Sequence, residues 1–332
     1  MISISTLFLV NEVLGVSLGF IANAALYFLI QNASPTDLNS YKRLLKLHCF
    51  TDLLYTTING LTSLRILYIG KHIFLVVAGP LAYWRSYGAL VASSLLTFAF
   101  ISELTFVPID FYYRYVLVCR NDPFTNLRFG VCVFTAAFIT TIYTMFSAYT
   151  MTYGPTNDTL KHWMSIQKAL SLGKKQLPFS FNDPDSPKTT LTLIFCSSIA
   201  IAAYLVIGLA TYRIHQMLAE NARRQVRKES SHVRQITLVM IIQALLPFFA
   251  LAVPILVVTI CMFARISIEM VGYLITLSIS WTPVLKPLIT IYVIRPYRRA
   301  VKRKIFGEQA TTTADTSVSN TETQSTNLTR KP

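Results

Sequence analysis

Five residues of this chain, Asn23, Asp52, Glu103, Asp110 and Lys286, lie inside or, for Asp110, just past the inner end of long hydrophobic stretches that offer their polar groups little to bond with. A charge at the middle of a bilayer costs at least about 2.5 kcal/mol on insertion scales and is tolerated mainly where it faces a partner or water. At about 1.5 Å of rise per helical residue, Asp52 lies roughly 12 to 14 Å from the inner end of the second stretch and Lys286 roughly 12 Å from that of the seventh. Glu103 lies about 18 Å above Tyr115 on the third. Opposite charges at matched depth predict an ion pair between Lys286 and Asp52, with Glu103 and Asn23 beside it, that rearranges on activation. The competing reading is that Lys286 runs its four-carbon stem out to the inner headgroups.

Seven apolar stretches must position these groups: 6–30, 44–63, 86–107, 129–149, 189–212, 236–263 and 269–294. Each is about 20 residues or longer, enough for a hydrocarbon core of roughly 30 Å. With 53% hydrophobic and only 14% charged residues, the 332-residue chain departs from soluble composition. The net charge of +15 does not indicate nucleic acid, because the basic residues sit between the stretches. With the amino terminus outside, the inner loops and tail hold 20 of the 30 Lys and Arg, the outer loops nine, and Lys286 lies in the last span. That excess is the orientation signal. The amino-terminal segment has no positive n-region and reads as a retained helix. The apolar segment 66–82 carries Lys71-His72 and ends in Gly79-Pro80, so it reads as an outer loop packed on the bundle.

The second outer loop, 150–188, fits either a lid over a ligand pocket or a solvated connection. It carries the glycosylation acceptor Asn157-Asp158-Thr159. The basic third inner segment, 213–234, fits contact with anionic lipid heads and equally the grip of an intracellular partner. After Ile294, the apolar Tyr297, Ala300, Val301, Ile305 and Phe306 alternate with Arg298, Arg299, Lys302, Arg303 and Lys304 at helical spacing, the pattern of an amphipathic helix on a membrane surface. Residues 307–332 read as a disordered Ser/Thr-rich tail open to phosphorylation. None of the five cysteines lies in the outer loop before the third span or in the long loop after the fourth. No phosphate loop, zinc-spaced His and carboxylate, or nucleophile elbow is present, so the expectation is a non-enzyme without cofactor or metal.

Pro247 and Pro254 in the sixth span and Pro283 and Pro287 in the seventh each remove a backbone donor. They serve as pivots for an outward swing or simply shape the packing. Ser93, Ser94, Thr97, Tyr273, Thr276 and Trp163 line the expected ligand pocket near the outer leaflet, each with a bland packing role as the alternative. Apolar walls favour a small volatile or lipophilic ligand.

Phe111-Tyr112-Tyr113-Arg114-Tyr115, Gln243-Ala244-Leu245-Leu246-Pro247, and Pro287-Leu288-Ile289-Thr290-Ile291-Tyr292 followed by Pro296-Tyr297-Arg298 together resemble the nematode serpentine chemoreceptors, the Str-related classes and class delta in particular. The resemblance implies an all-α seven-transmembrane bundle of rhodopsin-like architecture over 1–306. It implies a G-protein-coupled chemosensory receptor for a small external molecule in the ciliary plasma membrane of sensory neurons, with arrestin binding the phosphorylated tail. Arg114 matches the arginine that such receptors use to latch the inactive bundle and meet the G protein. Tyr113 stands where they usually have an acid, and Asp110, one turn earlier, is the substitute. Lys286 replaces a usual asparagine and Tyr292 falls one position late, so that polar switch does not carry over directly. A retinal Schiff base is disfavoured, since retinal-binding receptors resemble one another in placing the lysine about two turns farther out. An odorant-gated channel would have its amino terminus inside, and a transporter should show two related halves.

An epitope at the amino terminus should be accessible on intact cells, one in 213–234 only after permeabilisation, and glycosidase should shift the wild type but not Asn157→Gln. An internal amino terminus would redirect the search to a channel.

Overall fold

The computed structural model describes residues 4–33, 41–69, 72–120, 122–153, 166–168, 170, 177–183, 185–223, 241–242, 245–246, 248–249, 253–264 and 269–306. Helix α1 (Ile4–Asn32) buries Phe8, Gly15, Gly19, Ala22, Asn23, Leu26 and Leu29, a stripe at three- and four-residue spacing. Its other faces expose Leu9, Val10, Val13, Phe20 and Ile21, a surface suited to hydrocarbon. The glycines in the stripe permit close approach: a Cβ at Gly19 would lie 2.9 Å from Thr56 Oγ1, and one at Gly15 would lie 2.8 Å from Ser280 Cβ. Small residues let helix backbones meet where burial of apolar surface gives no drive of its own.

Helix α2 (Lys42–Thr62) carries Lys42, Arg43, Lys46 and Asp52 and is polar enough to escape a simple hydropathy test, which α1, α3, α4 and α5 pass. α3 (Arg85–Tyr115) runs on through Pro108 and continues as a π-turn over Val116–Arg120. α4 (Asn126–Thr150) starts at Thr125, whose hydroxyl accepts from Arg128 N at 3.3 Å. α5 (Pro187–Arg223) extends 11 residues past the expected end of the fifth span, into the basic segment. α6 (Val253–Ala264) is the longest described piece of the sixth span.

The seventh span is two helices, α7 (Glu269–Ile279) and α8 (Thr282–Val293), bent by 49°. Pro283 near the start of α8 explains the break, since it has no N–H to extend α7 and its ring crowds the preceding turn. α9 (Arg295–Phe306) follows as the expected amphipathic helix, with Tyr297 fully buried and Arg299, Arg303 and Lys304 exposed.

Segment 66–82 is more ordered than a packed loop. Strands β1 (Leu64–Ile69) and β2 (His72–Val77) form an antiparallel hairpin, joined by β4 (Phe179–Asn182) and β3 (Thr152–Tyr153) in the order β1-β2-β4-β3. The sheet lies across one end of the bundle. Leu67, Phe74, Val76, Ile166, Leu170, Phe179 and Phe181 form its apolar core with Phe8 of α1, and Tyr273 packs against it. Within the long loop, Ile166, Leu170, Leu177, Phe179 and Phe181 are packed into this core, while Lys168 and Asp185 stay exposed. The hairpin is keyed to α7 at Gly272, where a Cβ would meet Ile66 O at 2.8 Å and Tyr68 N at 3.0 Å.

Gly272→Val should lower the melting temperature of detergent-solubilised protein and its surface expression, because backbone cannot yield and overpacking costs roughly 1–3 kcal/mol. Gly130→Ala, inside α4 with nothing within 4 Å of its Cβ, should lower neither and should raise the melting temperature slightly, since alanine suits a helix better than glycine.

Candidate functional site

The bundle's buried charge centres on α8. Lys286 Nζ lies 3.3 Å from Asp52 Oδ1 of α2 and also pairs with Glu103 of α3, all three side chains being nearly inaccessible. Lys286 thus stays inside instead of running to the headgroups. Nearby hydroxyls bond back to the helices: Thr56 Oγ1 donates to Asp52 O at 2.7 Å, and Thr290 Oγ1 donates to Lys286 O at 2.8 Å. Buried charges are tolerable when paired, but removing one partner typically costs about 3–5 kcal/mol.

Asn23 stands beside this cluster in a different role. Pro287 has no N–H, so the Pro283 carbonyl one turn earlier loses its helical donor. Asn23 Nδ2 donates to that carbonyl at 2.9 Å, and to Gly19 O at 2.9 Å. One buried amide therefore splices α1 to the defect in α8. The break between α7 and α8 is held similarly: Trp281 Nε1 donates to Asn11 Oδ1 at 2.9 Å, and Asn59 Nδ2 donates to Ser280 Oγ at 3.2 Å. Asn11, Asn59, Ser280 and Trp281 were not singled out in the sequence, because their significance depends on where the seventh span breaks.

A second charged cluster lies toward the α9 end. His48 Nε2 is 2.7 Å from Asp110 Oδ2, both side chains buried. Asp110, expected to serve Arg114, thus has a partner on α2. His48 is four residues from Asp52, and Asp110 seven from Glu103, so helical periodicity stacks the two clusters on the same faces of α2 and α3. That spacing was the available signal for His48, which otherwise reads as one of several scattered histidines. Arg114 is also buried, and Tyr41 lies within electrostatic reach of Asp110, Tyr113, Arg114 and Tyr297. Tyr113 packs on Tyr41 and edge-on against Phe124, with ring centroids 6.1 and 5.1 Å apart. Tyr115 is partly buried against the same core.

Tyr292, one position late in the seventh-span motif, faces away from the bundle. It is 70% exposed, its carbonyl accepts from Arg298 Nη1 at 3.1 Å, and the Arg298 guanidinium lies over its ring. The one-position offset turns it away from the bundle, and Tyr297 of α9 fills the interior instead.

The described members of the expected pocket make packing and backbone contacts. Ser93 is buried, with its hydroxyl on Ala89 O at 2.7 Å. Thr276 accepts from Ile66 N at 2.9 Å and donates to Gly272 O at 2.9 Å, which makes it a clasp for the hairpin. Ser94 and Thr97 are partly buried on α3, and Tyr273 packs on Phe8 with centroids 5.8 Å apart. Trp163, Asn157 and Pro247 lie outside the described residues, as does the second half of the basic segment, 224–234; Pro254 falls in α6. Arg65 of β1 reaches α1, where its Nη1 donates to Ser5 Oγ at 3.0 Å.

With this arrangement in view, comparison with known proteins is decisive. The sequence profile described as serpentine type 7TM GPCR chemoreceptor Srd matches residues 10–303. The chain belongs to that family. Serpentine receptor class delta-32 of Caenorhabditis elegans is 25% identical over 297 residues, covering 88% of this chain and 85% of the relative. Class delta-33 of the same organism is 22% identical, covering 89% and 85%. Squid rhodopsin superposes with a TM-score of 0.63 over 91% of this chain and 86% of its own, at 11% identity, a likeness of fold. This Srd chain is accordingly a multi-pass seven-helix membrane protein of the delta class, a receptor rather than an enzyme by family.

Two substitutions probe the site. Lys286→Met should abolish surface expression, and adding Asp52→Asn and Glu103→Gln should recover part of it, since the neutral triple leaves no unpaired charge; no recovery would count against a shared cluster. Asn23→Leu should destabilise solubilised receptor by about 1–3 kcal/mol in thermal melts, the cost of a buried carbonyl left unsatisfied.

Proposed function

We propose that this Srd receptor binds a small external molecule in the half of the bundle beneath the sheet and signals to an intracellular G protein through its α9 end. The observation that carries this reading is the stacking of two buried charged clusters along α2 and α3, ending beside Arg114. A ligand that shifts α8 or α3 beneath the sheet changes the geometry around Lys286. The His48–Asp110 bond, two helical turns from Glu103 on α3, then responds through the same helices. Releasing that contact frees the region around Arg114, where the G protein engages. The prolines of the sixth and seventh spans supply the pivots, and Pro108 in α3 joins them.

The charge distribution supports a plasma-membrane receptor with its amino terminus and sheet outside, and the family supports sensory cilia. The Ser/Thr-rich tail supplies phosphorylation sites for arrestin, and the basic α9 supplies contact with lipid. The apolar character of the region beneath the sheet, where Tyr273 and Leu277 pack, favours a lipophilic ligand.

The test needs no known ligand. A charge-assisted hydrogen bond is worth roughly 1.5–3 kcal/mol, so Asp110→Asn should raise basal nucleotide exchange on co-expressed G protein by about tenfold or more. Asp110→Asn combined with Arg114→Gln should return exchange to background at equal surface expression. Exchange that ignores both changes, or membrane current in its place, would sink the proposal.

A further inference from the structure

A groove of about 810 Å³ lies between the last turns of α1 and the length of α9. Its α1 wall is Ala25, Phe28 and Leu29, and its α9 wall carries Arg299, Arg303 and Lys304. No acidic side chain lines it among the described residues. The apolar wall belongs to a helix that crosses the hydrocarbon, while the cations stand at the end of that helix, where headgroups lie. Apolar depth and positive rim thus follow the order of a phospholipid from chain to phosphate.

The cations are placed for a bound anion rather than scattered. Arg299 and Arg303 are four residues apart and share a face of α9, where like charges repel unless an anion lies between them. Lys304 Nζ lies 4.4 Å from the centre of the Phe28 ring, which draws it across the groove toward α1. Arg298, by contrast, is occupied by Tyr292, and Lys302 is exposed and not part of the groove lining. α1 has no basic residue in its last turn, so the groove's charge comes entirely from α9.

We propose that this groove is a discrete site for one anionic phospholipid, with its phosphate on Arg299, Arg303 and Lys304 and its upper acyl chain on Ala25, Phe28 and Leu29. Bound there, the lipid fastens α9 to α1 next to Tyr297, whose ring is buried in the core beneath Arg114 and Tyr113. The site differs from diffuse attraction of a basic helix to an anionic surface, because it requires the apolar wall as well as the charge.

Native mass spectrometry of the full chain, with phosphatidylserine and phosphatidylcholine added in equal amounts, separates the two. One phosphatidylserine should be retained in preference to phosphatidylcholine, and soluble glycerophosphoserine should not displace it. Arg299→Gln and Arg303→Gln should each weaken retention by about fivefold, the worth of one basic residue beside an anionic membrane, while Lys302→Gln should leave it unchanged. Ala25→Trp fills the groove from the exposed face of α1 without changing charge, and it should weaken retention as well. Equal losses for Lys302→Gln and Arg303→Gln, retention unaffected by Ala25→Trp, no preference over phosphatidylcholine, or displacement by the soluble headgroup would each overturn the proposal. All four replaced side chains are exposed, and matching melting temperatures check that the variants fold.

Discussion

The ammonium of Lys286 is buried among helices that have to stay in the membrane, and most of the bundle's geometry answers to that fact. A lone charge there would cost more than a small membrane protein can spare, so α2 and α3 must bring Asp52 and Glu103 to the same depth. That requirement fixes how α2, α3 and α8 turn about their own axes. It also fixes the neighbours. His48 falls one turn from Asp52 and Asp110 two turns from Glu103, so orienting the first cluster brings the second into register.

The seventh span adds a constraint of its own. Pro283 breaks it between α7 and α8, and Pro287, one turn later, leaves the Pro283 carbonyl without a helical donor. In lipid such a carbonyl must find a partner inside the protein. Asn23 supplies it, while Asn11 and Asn59 hold the residues at the bend. α1 is thereby tied to the helix that carries Lys286, and Gly15 and Gly19 make the close approach possible. The bend, the α1 contact and the buried lysine form one mechanical unit.

The two ends of the bundle use different physics. At the sheet end, four strands satisfy one another's backbone groups and bury an aromatic cluster over the helices, which makes a firm cover. At the other end the core is aromatic and charged together, with Tyr41, Tyr113 and Tyr297 packed around Arg114 and the His48–Asp110 pair. α9 begins with a residue of this core and ends in exposed cations at the headgroup level. Whatever grips α9 therefore acts on the same tyrosine that closes the interior.

The sequence by itself determined the membrane class and the amphipathic helix, and it set Lys286 and Asp52 at matched depth while leaving open whether Lys286 pairs or reaches for the headgroups. These depend on composition, helical periodicity and rise per residue, which are local quantities. Asn23 was also legible as a polar residue in a span, but its task was not, because the carbonyl it serves is orphaned 260 residues away. His48, Asn11 and Asn59 were hidden for the same reason. The hairpin at 64–77 read as a loop, since its strands are stabilised by β4 and by α7 and not by any strong turn signal of their own. Tyr292 falls one position late in its motif and is exposed in the fold, because a one-residue offset rotates a helical side chain by about 100°. Depth along a helix can be counted from the chain; which face meets which neighbour was decided only when the helices packed together.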